Sequence, residues 1–124
     1  MVDGYVATLG RSGADRSAVQ RWQLERWIAR RGWRLGRIFE DRTDVGGTGP
    51  ALRERALARV EGSESDGLVV LELRQLGASL EDTVRAIERI SAAGGAFASV
   101  HEGIDLSTPG GRQIVRMLMS VVEW

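Results

Sequence analysis

The sequence predicts an α/β domain of three layers: a mostly parallel central sheet, helices on both faces, and a long helix at the C-terminal end. Three observations carry this reading. Short apolar runs alternate with longer stretches of helical periodicity, the pattern of repeated βαβ units. One run, Leu68-Val69-Val70-Leu71, is unbroken, β-branched at its centre and introduced by the turn segment Ser63 to Gly67. Such a strand is buried on both faces and belongs in the middle of a parallel sheet. Glycines and capping residues fall where the helices should start and stop.

Taken in order, residues 2–8 read as the first strand, followed by a loop with Gly10 and Gly13. Helix one is expected to begin at Arg16 or Ser17, capped by Asp15 or Ser17, with Val19, Leu24, Trp27 and Ile28 as its apolar face. Gly32 should stop it. Residues 33–40 form the second strand, and a polar, glycine-rich loop runs to Gly49. Pro50 suits the first turn of helix two, whose inner face is Leu52, Ala56, Leu57 and Val60. After the central strand, Ser79 caps helix three, with Leu80, Val84, Ile87 and Ile90 facing inward and Gly94-Gly95 at its end. Residues 96–100 make the fourth strand. From Arg112 to Trp124 a last helix carries apolar residues around almost its whole circumference. One sheet face cannot satisfy such a helix, so a second copy of the chain is the expected partner.

Composition narrows the function classes. A chain of 124 residues is expected to form one domain, and no apolar run reaches the roughly 20 residues needed to span a bilayer. The N-terminus lacks the basic and apolar regions of a signal peptide, so a cytoplasmic location is the default. There is no cysteine and a single histidine, His101, which removes thiolate and multi-histidine metal sites; no metal or cofactor is expected. Net charge is zero, which argues against a strong general grip on nucleic acid by this segment alone. All seventeen basic residues are arginine.

Certain residues, in this order, carry a family likeness. They are Gly4-Tyr5-Val6, Gln20 through Leu24, Glu40-Asp41 before the glycine-rich loop and Pro50, then Leu68-Val69-Val70 leading into Leu76-Gly77 and Ser79. Ile104-Asp105, Ser107-Thr108-Pro109 and Gly111-Arg112 before an apolar helix complete the set. Over essentially its whole length the chain resembles the catalytic domain of serine site-specific recombinases, the resolvase/invertase family. The resemblance implies a resolvase-like fold, with Ile114, Met117, Leu118 and Val121 on a dimerisation helix. It also implies a chemistry in which a serine attacks a DNA phosphate while arginines stabilise the charge on phosphorus.

The positions that match the family's catalytic set hold other residues. Beyond Tyr5, the arginine position holds Ala7 and the nucleophile position Leu9. The family's Arg-Pro before helix two is Gly49-Pro50, and its Asp-Arg-Leu-Gly-Arg-Ser is Arg74-Gln75-Leu76-Gly77-Ala78-Ser79. Losing one preorganised donor costs on the order of 10²–10³ in rate, so the combined loss should be prohibitive. Other hydroxyls are weaker candidates. Alternation turns Thr8 away from the side of Leu9, and Ser12 lies in a loop without nucleophile-elbow spacing or a neighbouring base. Gly46 to Gly49 reads as a hinge before a helix more readily than as a phosphate cradle. Arg74 is expected to pair with Glu72, Asp41 or Asp44, and His101 to be a loop or strand-end residue. Trp27 and Trp33 should be core.

The expected function is a non-catalytic relative of serine recombinases, a DNA-associated regulatory or assembly module that self-associates through its last helix. DNA would be reached through a segment beyond Trp124. The alternatives are an active strand-exchange enzyme using Ser12 or Thr8, a phosphorylated-ligand module over Gly46 to Gly49 and Arg74, and a pure dimerisation module.

Overall fold

The computed structural model describes residues 1–8, 13–42 and 51–123. Its strands are β1 (Val2–Thr8), β2 (Leu35–Arg42), β3 (Gly67–Val70), β4 (Ala96–Ser99) and β5 (Ile104–Asp105). Its helices are α1 (Gly13–Arg30), α2 (Ala51–Glu61), α3 (Leu80–Ala92) and α4 (Pro109–Glu123), with one 3₁₀ turn at Leu73–Gln75. The sheet runs β2-β1-β3-β4-β5; only the β4–β5 pair is antiparallel. β3 is therefore central, and its four residues are all buried.

Alternation along the strands divides the core in two. Val2, Val6, Val69, Leu71 and Ala98 pack with Leu24 and Ile28 of α1 on one face. Tyr5, Leu68, Val70 and Phe97 pack on the other with the inner residues of α2 and α3 and with Val115 of α4. One face thus has a single helix and the other has three. α3 follows expectation: Ser79 Oγ accepts the Asp82 N–H at 3.1 Å, and Val84, Ile87 and Ile90 are buried. Gly32 and Gly94, after α1 and α3, take positive φ of 73° and 74°, the conformation that ends a helix most cheaply at glycine.

Several expectations need correction. α1 begins at Gly13, so Asp15 and Ser17 lie inside it; an acidic or small polar residue suits the first turn as well as the cap, and composition does not separate the two. Val19 and Leu80 are exposed rather than core: Val19 lies about 140° around α1 from buried Leu24, and Leu80 is the first residue of α3. β2 is displaced two residues toward the C-terminus, and β5, too short to show periodicity, went unseen. Trp27 and Trp33 are half-buried and meet edge to face at 5.6 Å between centroids, with the Arg31 guanidinium over Trp27.

The last helix starts three residues earlier than expected, at Pro109, where a missing N–H costs nothing. Thr108 caps it, its Oγ1 accepting the Gly111 N–H at 3.0 Å. It is not apolar all round. At about 100° per residue its apolar positions span an arc of about 200°, and Arg112, Gln113, Arg116, Ser120 and Glu123 fill the remainder. Half of that arc, with Val115 at its centre, faces the core. The other half leaves Ile114, Met117 and Val121 in solvent, 39%, 62% and 63% exposed.

A buried ion pair stitches the opposite end of the sheet. The register shifts between Val2, opposite Leu35, and Gly4, opposite Ile38, so β2 carries one extra residue. The Arg37 N–H donates at 2.9 Å to Asp3 Oδ1 there. Asp3, wholly buried, also binds Arg59 Nε of α2 at 2.7 Å, which keeps that guanidinium more firmly protonated than usual.

Candidate active site at the strand ends

Strand order reverses between β1 and β3, and open α/β sheets place ligands at the carboxyl ends of strands beside such a reversal. Here that crevice lies between Ala7 of β1 and the segment Glu72–Ser79 after β3. Its floor is Tyr5. The phenol donates to Asp41 Oδ2 at 2.8 Å, and the same carboxylate accepts the N–H groups of Leu52 and Arg53 at 3.2 and 3.0 Å. Asp41 thereby caps α2 from the end of β2. Burial first, and the bond to Asp41 second, push Tyr5 far above the ordinary phenol range, so the phenol keeps its proton and its bond to Asp41 at neutral pH.

Gln75 spans the crevice. Its Nε2 donates to Ala7 O and to Gln20 Oε1, both at 3.1 Å, and its Oε1 accepts the Glu72 N–H at 3.3 Å. One amide joins β1, α1 and the loop after β3, using both donors and its acceptor. Arg53 adds a further tie, Nη1 donating to Leu76 O at 2.8 Å.

The rim is held by two acids from neighbouring loops. Glu72 accepts from His101 Nδ1 at 2.9 Å and pairs with Arg74, whose side chain is otherwise exposed. Glu102 accepts the Leu73 N–H at 3.2 Å and the Ser99 hydroxyl. The bond from His101, then that from Arg74, outweighs partial burial and holds Glu72 below the usual carboxylate range. A depressed carboxylate stabilises the fold above its unfolded pKa and loses that contribution as pH falls through the folded value. The destabilisation caused by His101→Ala should therefore shrink between about pH 5 and about pH 3. Urea midpoints at the two pH values measure it; an unchanging gap would count against the Glu72–His101 bond.

The sequence-derived site residues separate into three groups. Tyr5, Ala7 and Gln75 come together at the crevice, Gln75 bonded to the Ala7 carbonyl. Arg74 and Ala78 lie on the rim, both exposed, and Arg74 takes Glu72, one of its expected partners. Leu9, Ser12, Gly49 and the Gly46–Gly49 run lie outside the described residues, as does the side chain of Thr8. Sequence reasoning offered Asp41 only as a partner for Arg74 and gave no contact to Gln20 or Glu102. Their partners are 36, 55 and 29 residues away, a separation that local patterns do not reveal. Among the described residues no group of histidine, aspartate and glutamate side chains could hold a metal ion, and no helix is long and apolar enough to cross a membrane.

Comparison with known proteins gives the fold a family. The model of the resolvase N-terminal domain matches residues 8–124. The N-terminal catalytic domain of TP901-1 integrase superposes with a TM-score of 0.78 at 21% identity, covering 98% of this chain and 94% of that one. A resolvase family site-specific recombinase from Streptococcus pneumoniae gives 0.78 at 15% identity, covering 99% and 87%. The C-terminal catalytic domain of ISC1926 TnpA, an IS607-like serine recombinase, gives 0.66 at 11%, covering 99% and 100%. A search of curated proteins found no match. Strand order, the crevice between β1 and β3 and the family match agree: the chain belongs to the resolvase N-terminal domain family, that of serine recombinase catalytic domains.

Proposed function

We propose that this domain does not cut DNA and serves instead as a DNA-associated assembly module built on a recombinase scaffold. The observation that supports this most is Gln75. In the family pattern that position is an arginine facing the reacting phosphate. Here it holds a neutral amide whose hydrogen bonds are consumed by Ala7, Gln20 and Glu72. No cation is left at that position to meet a dianionic transition state. Leucine at the nucleophile position and alanine at Ala7 and Ala78 agree with the same reading. The test is a trap for covalent protein–DNA adducts, with Thr8→Ala and Ser12→Ala alongside. No adduct is expected in a preparation that binds DNA noncovalently. An adduct lost in either variant would establish a displaced nucleophile and sink the proposal.

Assembly runs through α4, whose exposed half-arc of Ile114, Met117 and Val121 fits a second copy, with Leu118 at its margin. Burying the surface these side chains still expose contributes on the order of 1 kcal/mol each from each protomer toward association. Met117→Asp should move the dimer-to-monomer midpoint at least about 100-fold higher in sedimentation equilibrium. An unshifted midpoint would place the interface elsewhere. Longer chains of this type would reach DNA through the segment beyond Trp124.

A further inference from the structure

Zero net charge hides a segregation of charge. Arginines on the α2–α3 side are largely neutralised: Arg59 by Asp3 and Glu64, Arg85 by Glu81, Arg89 by Glu54 and Glu61. The end of α1 and the start of β2 differ. Arg26, Arg30, Arg34 and Arg37 fall within one twelve-residue stretch, all exposed, and none makes an ion pair among the described residues. Acids packed around this corner are already engaged: Glu40 with Arg21, Asp105 with Arg31, Asp3 with Arg59 and Asp66 with the terminal amine. Glu25 is the one acid within the stretch from Ser17 to Phe39. On α1 the Arg26 guanidinium stacks 4.8 Å from the centre of the exposed Trp22 ring.

We infer that this corner, Arg26 to Arg37 with Trp22 at its border, is a docking surface for the phosphodiester backbone of duplex DNA. The guanidinium fork matches phosphate oxygens bidentately, and four of them, following one another from the last turns of α1 into β2, offer several such forks to one backbone. A protein partner would want an exposed apolar centre, whereas of the uncharged residues between these arginines Trp27, Trp33 and Leu35 are half-buried, Ile28 is buried, and the exposed ones are Ala29, Gly32 and Gly36. Protection of the edge strand would need charge on β2 alone, yet two of the four arginines are on α1. The surface is remote from the strand-end crevice, at the opposite end of α1, so the inference holds whether or not that crevice can cut.

The test is salt-dependent binding of the 124-residue chain to a labelled duplex of unrelated sequence, followed by anisotropy. Each phosphate neutralised contributes about −0.9 to the slope of log K against log salt. A parent slope of about −3 or steeper is expected between about 50 and about 200 mM salt, flattening to about −1 in Arg26→Gln/Arg30→Gln/Arg34→Gln/Arg37→Gln. Arg55→Gln/Arg85→Gln/Arg112→Gln/Arg116→Gln changes net charge equally and should keep most of the parent slope. Should the first quadruple variant fail to fold, Arg30→Gln alone should flatten the slope by about 0.9. A flat parent slope, or equal loss in the matched variant, would overturn the assignment. Polyglutamate competing as well as DNA would overturn it too, marking a surface for acidic protein.

Discussion

Arg59→Met is expected to lower stability by about 4 kcal/mol in urea denaturation at neutral pH, more than Asp3→Asn at about 2 kcal/mol. The asymmetry follows from the surroundings. Asp3 is wholly buried beneath α2, so without Arg59 its charge retains only the Arg37 N–H and cannot rehydrate. Arg59 is partly exposed and has Glu64 at 3.3 Å as a second partner, and the single carbonyl oxygen of asparagine at position 3 can still accept the Arg37 N–H. Replacing both members, as Asp3→Leu with Arg59→Met, should recover a large part of the loss, because the cost arises from an orphaned charge rather than from absence of the pair. Only the Arg37 N–H would then be unmet. A loss below about 1 kcal/mol for Arg59→Met would show that water reaches Asp3 and that the stitch between β1, β2 and α2 is weak.

That stitch also shows where sequence reading stops. Asp3 reads as one polar residue in a strand, and nothing near it in sequence announces a partner 56 positions away. The elements themselves were legible wherever a local pattern had a local cause. β3 was identified by its unbroken β-branched run, and α3 by Ser79, Glu81 and Asp82 ahead of apolar positions three and four apart. Arg74 with Glu72 was legible too, the two being neighbours on one loop. Apolar residue type misled at two helix positions. Val19 lies on the side of α1 turned away from Leu24 and Ile28, and Leu80 opens α3 ahead of its buried face. At the crevice, the family resemblance pointed to position 75; it did not reveal that Gln75 bridges the crevice, since that depends on Ala7 and Gln20 arriving from other elements. Net charge misled in the same way. A sum of zero is silent on where the unpaired arginines collect.

Gly111→Ala should be among the most damaging single substitutions in the chain. A Cβ there would lie 1.9 Å from the Asp105 carbonyl oxygen, 2.5 Å from its carbon and 2.7 Å from its nitrogen. All three are backbone atoms, so no rotamer change relieves the overlap. Asp105 cannot withdraw either: its Oδ1 accepts the N–H and hydroxyl of Ser107 at 2.8 and 2.7 Å, its Oδ2 lies 2.7 Å from Arg31, and its strand pairs with β4. The remaining relief is to lift α4 off β5, breaking the packing of Val115. A loss of about 3 kcal/mol is expected, which for a domain of this size lowers Tm by roughly 10 °C. Gly110→Ala is the internal control. Nothing lies within 4 Å of a Cβ at that position, and alanine is the better helix former, so its Tm should hold or rise. Because α4 also presents Met117 and Val121, a lifted helix would misdirect the proposed interface. Gly111→Ala should therefore weaken self-association without touching an interfacial side chain, while Gly110→Ala should preserve it. Equal melting temperatures for the two variants would mean that α4 rises freely from β5, and the sheet could then no longer be credited with aiming that helix.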